Sequence, residues 1–393
     1  MKTSVRKNRI GGKYSIVGIG EAGVGKADPG QTSLSLQARA AQRAMLDCGL
    51  QPSAIDAVFA QWDDRIASLL VSEYLGIQPR YTDSTLVGGQ SNLTHIVHAI
   101  SAIETGLCET ALITYGSTQR SDKSRRLSGL NLDPRTPNGQ FVQPYGIVSP
   151  IGFYAMQAKL HQCRYGSTAE DLGEIALAAR KWAQLNPNAV DQDDLTMEQY
   201  LASPMICDPL RKLDICKVTD GAGAIIVTSS ERARDLNQVP VQVLGFGEKY
   251  RHHLTPFNND DWLDNGFVAD ITNEALHMAQ RERDDIDVVQ IYDAFSVSTL
   301  IGLEDLGFCR RGEAGEIIHG GRIAPGGDFP LNTSGGGLSF NHPGMFGMQL
   351  AIESIRQLRG ECGARQVSDA KTCILLSGGI VMSAHNVTVL GRE

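Results

Sequence analysis

The stretch Asn332-Thr-Ser-Gly-Gly-Gly-Leu-Ser-Phe-Asn-His-Pro-Gly344 constrains this 393-residue chain more than any other. Three consecutive glycines, Gly335, Gly336 and Gly337, let the backbone enter positive φ and come close to another group. Residues 345–358 then carry apolar side chains at helical spacing, which puts Pro343 at a helix start, where its missing N–H costs little. His342 would stand at the mouth of that helix, a place suited to carrying a proton or donating to an oxyanion. A plainer reading stands beside it, a Gly-rich turn whose histidine satisfies a loop carbonyl, because a short motif alone is weak.

The flanking sequence supplies strands and helices to hold such a turn. Residues 14–20 (YSIVGIG) read as a buried strand, and residues 33–50 as a largely apolar helix capped by Thr32 or Ser33. A strand at 57–60, a helix at 66–75, a Gly88-Gly89 turn, an apolar-periodic run at 91–106 and a strand at 110–115 follow. This alternation predicts a layered α/β arrangement around a central sheet. Residues 116–204 break the rhythm: 122–146 are rich in Arg, Asn, Pro and Gly and read as a long surface loop, while 152–165 and 169–185 read as helices. An insertion of that length inside an α/β domain is usually functional, not a linker. After a strand at 220–227, the plan starts again with strands at 239–246 and 288–292, helices at 271–281, 297–306 and 345–358, and strands at 372–376 and 386–390. A strand, a Gly-rich turn and a helix thus occur in both parts of the chain, which points to structural duplication. The duplication is one of structural plan, with no residue-level repeat.

Composition removes several function classes. The net charge is −8 and the sole basic run is residues 123–126, so nucleic acid is not an expected partner. Residues 1–14 are basic but lack the apolar core of a signal peptide, and no run approaches the ~18 apolar residues of a membrane span. A cytoplasmic location is the expectation. The eight cysteines form no C-x-x-C pair, and no His/Cys/Asp cluster has metal-ligand spacing, so no metal is expected.

Polar residues fall at apparent strand ends in Gly88-Gly-Gln-Ser-Asn92, Tyr292-Asp-Ala-Phe295, Phe340-Asn-His-Pro343 and Leu376-Ser-Gly-Gly379. In α/β sheets, ligands bind beyond such ends, so the four segments could share one pocket. Asp293 reads as the cap of the helix that follows it.

Taken with Asn186-Pro-Asn-Ala189 and Asp220-Gly-Ala-Gly-Ala224, these motifs resemble, in order and over nearly the whole chain, the thiolase superfamily in its sterol-carrier-protein-type, lipid-transfer-protein branch. The resemblance implies an α-β-α-β-α fold of two similar halves, residues 1–237 and 238–393, a loop domain of about residues 117–204 inserted in the first, an acyl-CoA ligand and a homodimer with the 110–115 strand near its seam. It also locates departures. Ser91 matches the family's nucleophilic cysteine, Leu376-Ser377 replaces its second cysteine, and Tyr292 replaces an Asn or His, while His342 is kept. A serine needs an adjacent base to act as nucleophile, and none is evident beside Ser91, since His95 and His98 lie further along the helix. Thiolase acyl transfer is thereby disfavoured.

Retro-aldol cleavage of a 3-hydroxyacyl-CoA needs no covalent carrier. The chain resembles in this the thiolase-like aldolases of steroid side-chain breakdown, which work with a small OB-fold partner. Tyr292 and His342 are the expected catalytic residues, with Ser91, Asn341, Gly379 and Phe346 as candidate substrate or oxyanion contacts. The CoA thioester is substrate and no cofactor is expected. Plain alternatives remain: Tyr292 as a strand-end core residue, Ser91 as a helix N-cap, and structural roles for Cys108 and Cys373. Two other functions stay open, an acyltransferase with an unexpected nucleophile and a non-catalytic acyl-CoA or lipid-binding protein.

Overall fold

The computed structural model describes residues 10–61, 66–124, 133–147, 150–251, 263, 266–379, 381 and 383–392. The basic residues 1–9 and part of the 123–126 run lie outside the described residues.

Strands β1 (Tyr14–Gly25), β2 (Ala57–Gln61), β3 (Tyr81–Asp83) and β4 (Thr110–Ser117) alternate with helices α1 (Ser33–Cys48), α2 (Ala67–Leu75) and α3 (Ser91–Glu104). The insertion contributes α4 (Pro150–Tyr165) and α5 (Ala169–Gln184), and a hairpin of β5 (Met205–Cys207) and β6 (Leu210–Arg211) follows it. Then come β7 (Asp220–Ser229), β8 (Val241–Tyr250), α6 (Gly266–Ala279), β9 (Val288–Ile291), α7 (Ser296–Asp305), α8 (Gly347–Arg359), β10 (Thr372–Gly379) and β11 (Ala384–Gly391). Helix α1 starts where its sequence says it should. Thr32 accepts from the Ser35 amide at 3.2 Å, Ser35 Oγ accepts from the Thr32 amide at 2.9 Å, and Gly49 closes the other end at φ 77°.

The main sheet runs β3-β2-β4-β7-β1-β8-β11-β10-β9. Its middle is thin: β1 and β8 pair only through Ser15 with Gln242 and Ile16 with Val241. On either side the order repeats. β1 is antiparallel to β7, β7 to β4, and β4 is parallel to β2 and β2 to β3. In turn β8 is antiparallel to β11, β11 to β10, and β10 is parallel to β9. A single parallel bridge, Val289 to Leu331, stands where β3 stands in the first set.

Strand side chains alternate between faces, and this alternation builds the layers. Val58, Ala60, Leu112 and Ile226 pack outward against Leu36, Ala40 and Ala44 of α1 and Val71 of α2. Phe59, Ile113, Tyr115 and Ile225 point the other way, into a cluster with Leu93 and Ile96 of α3 and Leu350 and Ile355 of α8. Cys373 and Leu375 of β10 enter that same cluster, while Ile374 and Leu376 face Ile271 of α6 and Leu300 of α7. Helices α3 and α8 are therefore the filling of a five-layer α-β-α-β-α sandwich.

Two expectations need correction. The last helix begins at Gly347, so Pro343 lies in the turn before it. Within 122–146 there is a short helix, Pro137–Phe141, not loop throughout. Strand β4 is paired on both sides, by β2 and β7, and the first set of strands ends at β3.

Two buried histidines make stability pH-dependent. Burial pushes His95 down to about 4, and burial together with Arg251 pushes His385 down to about 3. Both are neutral in the fold, whereas the unfolded chain takes up protons near the ordinary pH of about 6.5. Stability present above that pH is therefore lost as pH falls toward the folded values, on the order of 3 kcal/mol for His95. We expect the urea midpoint to fall between about pH 6.5 and 4, and the slope to flatten in His95→Gln. Identical slopes in the two proteins would contradict this assignment.

Candidate active site

Tyr292 follows directly on β9, its amide donating to the Leu376 carbonyl of β10 at 2.9 Å. His342 lies at the end of the Gly-rich loop and is 3% exposed. The two meet: Tyr292 Oη and His342 Nε2 are 2.9 Å apart, with ring planes at 81°. Phe346 completes the group, stacked on His342 at 23° and edge-on to Tyr292 at 87°. Tyr292 is half-buried and Phe346 fully buried, so the phenol is the wetter end of the pair. A phenol–imidazole pair in this contact can pass a proton in either direction.

The loop that presents His342 is shaped by two glycines. Gly335 at φ 95° and Gly336 at φ 62° occupy the left-handed region, while Gly337 does not, so two of the three glycines serve that purpose. A π-turn follows, with the Asn341 amide donating to the Gly336 carbonyl at 3.2 Å. Buried main-chain groups need partners, and several segments provide them. The amides of Val190 and Asp191 donate to the carbonyls of Phe340 and Ser339, each at 3.1 Å, and that of Lys217 to Gly337 at 2.8 Å. Asn186 Nδ2 donates to the Ser334 carbonyl at 2.9 Å, and Arg180 Nε to Ser339 Oγ at 3.2 Å. The His342 amide donates to Thr219 Oγ1 at 2.9 Å, and Gln119 Nε2 donates to its carbonyl at 2.9 Å. Tyr115 donates its hydroxyl proton to the Pro343 carbonyl and accepts from the Met345 amide at 3.0 Å.

Asp293 does not cap α7, whose N-cap residue is Phe295 with no side-chain bond. Its carboxyl is buried and accepts instead from the amides of Gly337 at 2.7 Å and Leu338 at 3.3 Å. Burial pushes its pKa up to about 7 against the pull of those donors.

Ser91 is the first residue of α3, not its cap, and its hydroxyl is spent locally. It donates to the Gly88 carbonyl at 2.6 Å and accepts from the Val87 amide at 2.9 Å. The residue that faces Tyr292 from this turn is Gly89. A Cβ there would lie 2.4 Å from Tyr292 Cε2 and 2.7 Å from Cζ, so the tyrosine ring occupies the space a side chain would need. Gly379 packs on the same turn, where a Cβ would fall 2.4 Å from the Val87 carbonyl. Ser377 is buried and points at the Gly89 carbonyl, 3.4 Å away. Asn341 Oδ1 accepts from the Gly25 amide at 3.3 Å, tying the loop to β1. Cys373 and Cys108 are buried, and burial pushes both thiols up to about 12, far from a thiolate at neutral pH. Among the described residues no group of three or more His, Cys, Asp or Glu could hold a metal ion.

The structure thus brings Tyr292, His342 and Phe346 together, sets Asn341 and Gly379 beside them as packing and loop contacts, and turns the Ser91 hydroxyl away. Sequence reasoning missed Gly89, the grip of Asp293, and the supports from Tyr115, Gln119 and Thr219. The Gly88-Gly89 pair signalled a close approach without saying which glycine made it. The supports act on main-chain atoms distant in sequence and carry no local signature. For Gly89→Ala we expect the added methyl to push the Tyr292 ring aside, so that a crystal structure of the variant shows Oη to Nε2 beyond hydrogen-bond distance, about 3.5 Å. An unchanged contact would mean that the turn, not the ring, gives way.

The family described as Thiolase C-terminal domain-like matches residues 248–392. The chain is 33% identical over 369 residues to the 17-hydroxy-3-oxo-4-pregnene-20-carboxyl-CoA lyase of Mycobacterium tuberculosis, covering 89% of this chain and 92% of that one. It is 30% identical over 376 residues to the steroid side-chain-cleaving aldolase of Thermomonospora curvata, covering 93% and 95%. Among solved structures, the Ltp2-ChsH2(DUF35) aldolase superposes with a TM-score of 0.88 at 29% identity, covering 98% of both chains. The chain belongs to the thiolase superfamily, among the steroid side-chain-cleaving aldolases.

Proposed function

We propose that this protein is a carbon–carbon lyase that cleaves a 3-hydroxyacyl-CoA by a retro-aldol reaction, with a steroid side-chain CoA thioester as the substrate class. The observation that carries the reading is the Tyr292–His342 pair at 2.9 Å, set against a turn residue, Gly89, that has no side chain to carry an acyl group. The relatives named as a pregnene-carboxyl-CoA lyase and a steroid side-chain-cleaving aldolase support the substrate class.

In the proposed reaction the Tyr292–His342 pair takes the proton of the substrate's β-hydroxyl. The Cα–Cβ bond breaks as the oxygen's electrons form a ketone or aldehyde carbonyl, and the bond pair passes to the thioester as an enolate. The same pair then returns the proton to Cα, which leaves it ready for another cycle. Proton and electrons balance without an oxidant or a cofactor. No acyl–enzyme bond forms, consistent with thiols held far from ionisation and with a Ser91 hydroxyl committed to its own turn.

We read residues 1–237 and 238–393 as the two thiolase-like halves, on the strength of the repeated strand order. A homodimer and a small OB-fold partner belong to the same reading; the solved relative named with ChsH2(DUF35) supports a small partner protein. Among the described residues no helix is long and apolar enough to cross a membrane. A cytoplasmic location is part of the proposal.

Losing one proton carrier or oxyanion donor costs about 10²- to 10⁴-fold in rate, roughly 3 to 5 kcal/mol. We expect Tyr292→Phe and His342→Ala each to lose most cleavage of a 3-hydroxyacyl-CoA, while the folded protein still binds the thioester. Near-normal carbonyl release by Tyr292→Phe would make the tyrosine structural and the mechanism wrong. Incubated with a 3-ketoacyl-CoA and free CoA, the native protein should form no shortened thioester above background. Robust thiolysis there would favour the acyltransferase reading. Sedimentation should give at least a dimer at micromolar concentration, and a stable monomer would count against the assembly.

A further inference from the structure

We propose that Asp293 is the positioning residue that sets the separation of Tyr292 and His342. The inference rests on the function proposed above for its kinetic consequence, but its structural content stands alone.

Asp293 is joined to Tyr292 by a single peptide bond, and its carboxyl reaches across to the other partner's loop. One oxygen takes the Gly337 amide at 2.7 Å and the other the Leu338 amide at 3.3 Å. The loop is moulded to that carboxyl. A Cβ on Gly336 would lie 2.0 Å from Asp293 Oδ2, and one on Gly337 would lie 3.1 Å from Asp293 Oδ1 and 3.3 Å from His342 Cδ2. The π-turn Gly336–Phe340 then delivers Asn341 and His342.

The anchor end is itself fixed. The Asn332 side chain accepts from the Ile291 amide at 2.8 Å and donates to its carbonyl at 2.9 Å, and the Cys216 amide donates to the Ala294 carbonyl at 2.9 Å. Asp293 therefore ties a rigid strand end to a side-chain-poor loop.

A buried carboxyl is a poor choice for stability. Its donors are the Gly337 and Leu338 amides and the Asn332 side chain, none of them a cation, and burial of a charge without a cationic partner is costly. An amide of the same shape would be cheaper to bury. But Asn presents one acceptor oxygen, and its NH2 would face the Leu338 N–H, donor against donor. Two acceptors side by side, one for each successive amide, are what an ionised carboxyl offers and an amide cannot. The Gly337 and Leu338 amides are thereby held together, and His342 is held opposite Tyr292.

The test is Asp293→Asn in the full-length protein, with the native protein alongside. We expect the Tyr292 Oη to His342 Nε2 distance in a crystal structure to exceed about 3.5 Å. With a 3-hydroxyacyl-CoA as probe, kcat should fall about 10- to 100-fold with KM within about three-fold, because a misplaced proton carrier affects the chemical step. A merely structural role would lower activity only in step with the folded fraction and leave kcat per folded molecule unchanged; that result, or a retained 2.9 Å contact, overturns the proposal. If the native protein cleaves no 3-hydroxyacyl-CoA, the proposed function fails while the distance still decides this point. Should the variant not fold, amide hydrogen exchange in the native protein decides it: Gly337 and Leu338 must exchange slowly, and exchange at random-coil rates would refute the clamp.

Discussion

A loop with three glycines cannot hold itself, so the position of His342 depends on hydrogen bonds borrowed from elsewhere. Gly335 to Ser339 offers mostly main-chain atoms, and each buried N–H or C=O left unpaired would cost about as much as a lost hydrogen bond. The partners come from three parts of the chain. Val190, Asp191 and Lys217 reach in from the insertion and the segment after it, Asp293 from the end of β9, and Thr219 from the residue before β7. The insertion is therefore part of the site's framework, since removing it would strip the loop of its outer wall. The motif Asn186-Pro-Asn-Ala189 takes on a physical meaning here, because Asn186 bonds the Ser334 carbonyl and the turn it makes brings Val190 to Phe340.

A second constraint is the close approach of Gly89 to Tyr292. The tyrosine ring fills the volume that a side chain on Gly89 would need, at a distance that admits no Cβ. A side chain at Gly89 and the Tyr292 ring in its present place are mutually exclusive in this backbone, so the turn can carry no nucleophile there unless the tyrosine moves.

Much of the fold was legible because burial imposes periodicity. Strands such as Thr110–Ser117 and Thr372–Gly379 are covered on both faces, which leaves apolar runs that read plainly as buried strands, and α1 announced itself through its capping residues. Strand β3, with three half-buried residues, and the β5–β6 hairpin have too little buried surface to leave such a trace. At the site, Tyr292 and His342 were legible as residue types at motif positions. Ser91 misled because register inside a glycine-rich turn has no periodicity to anchor it, and a shift of two residues separates a hydroxyl bonded to its own turn from the position facing the ring. Asp293 misled for a related reason. An aspartate just ahead of a helix caps it in most contexts, and only the folded loop shows that two better donors lie across the gap.

The middle layer adds a weaker electrostatic contribution whose size can be judged. Helices α3 and α8 both begin beside the same turn, the Gly347 amide meeting the Gly89 carbonyl at 3.3 Å. Their positive ends therefore converge on this turn, beside Tyr292. Such an end is worth about 0.3 to 1 kcal/mol for a partly exposed charge. Two of them fall below the roughly 3 to 5 kcal/mol attached to one proton carrier or oxyanion donor. In the reaction proposed above, the helix ends add a bias on negative charge and do not replace the phenol–imidazole pair. This ordering explains why the sandwich invests so many bonds in the loop carrying His342, while α3 starts on a glutamine cap with no side-chain bond at all.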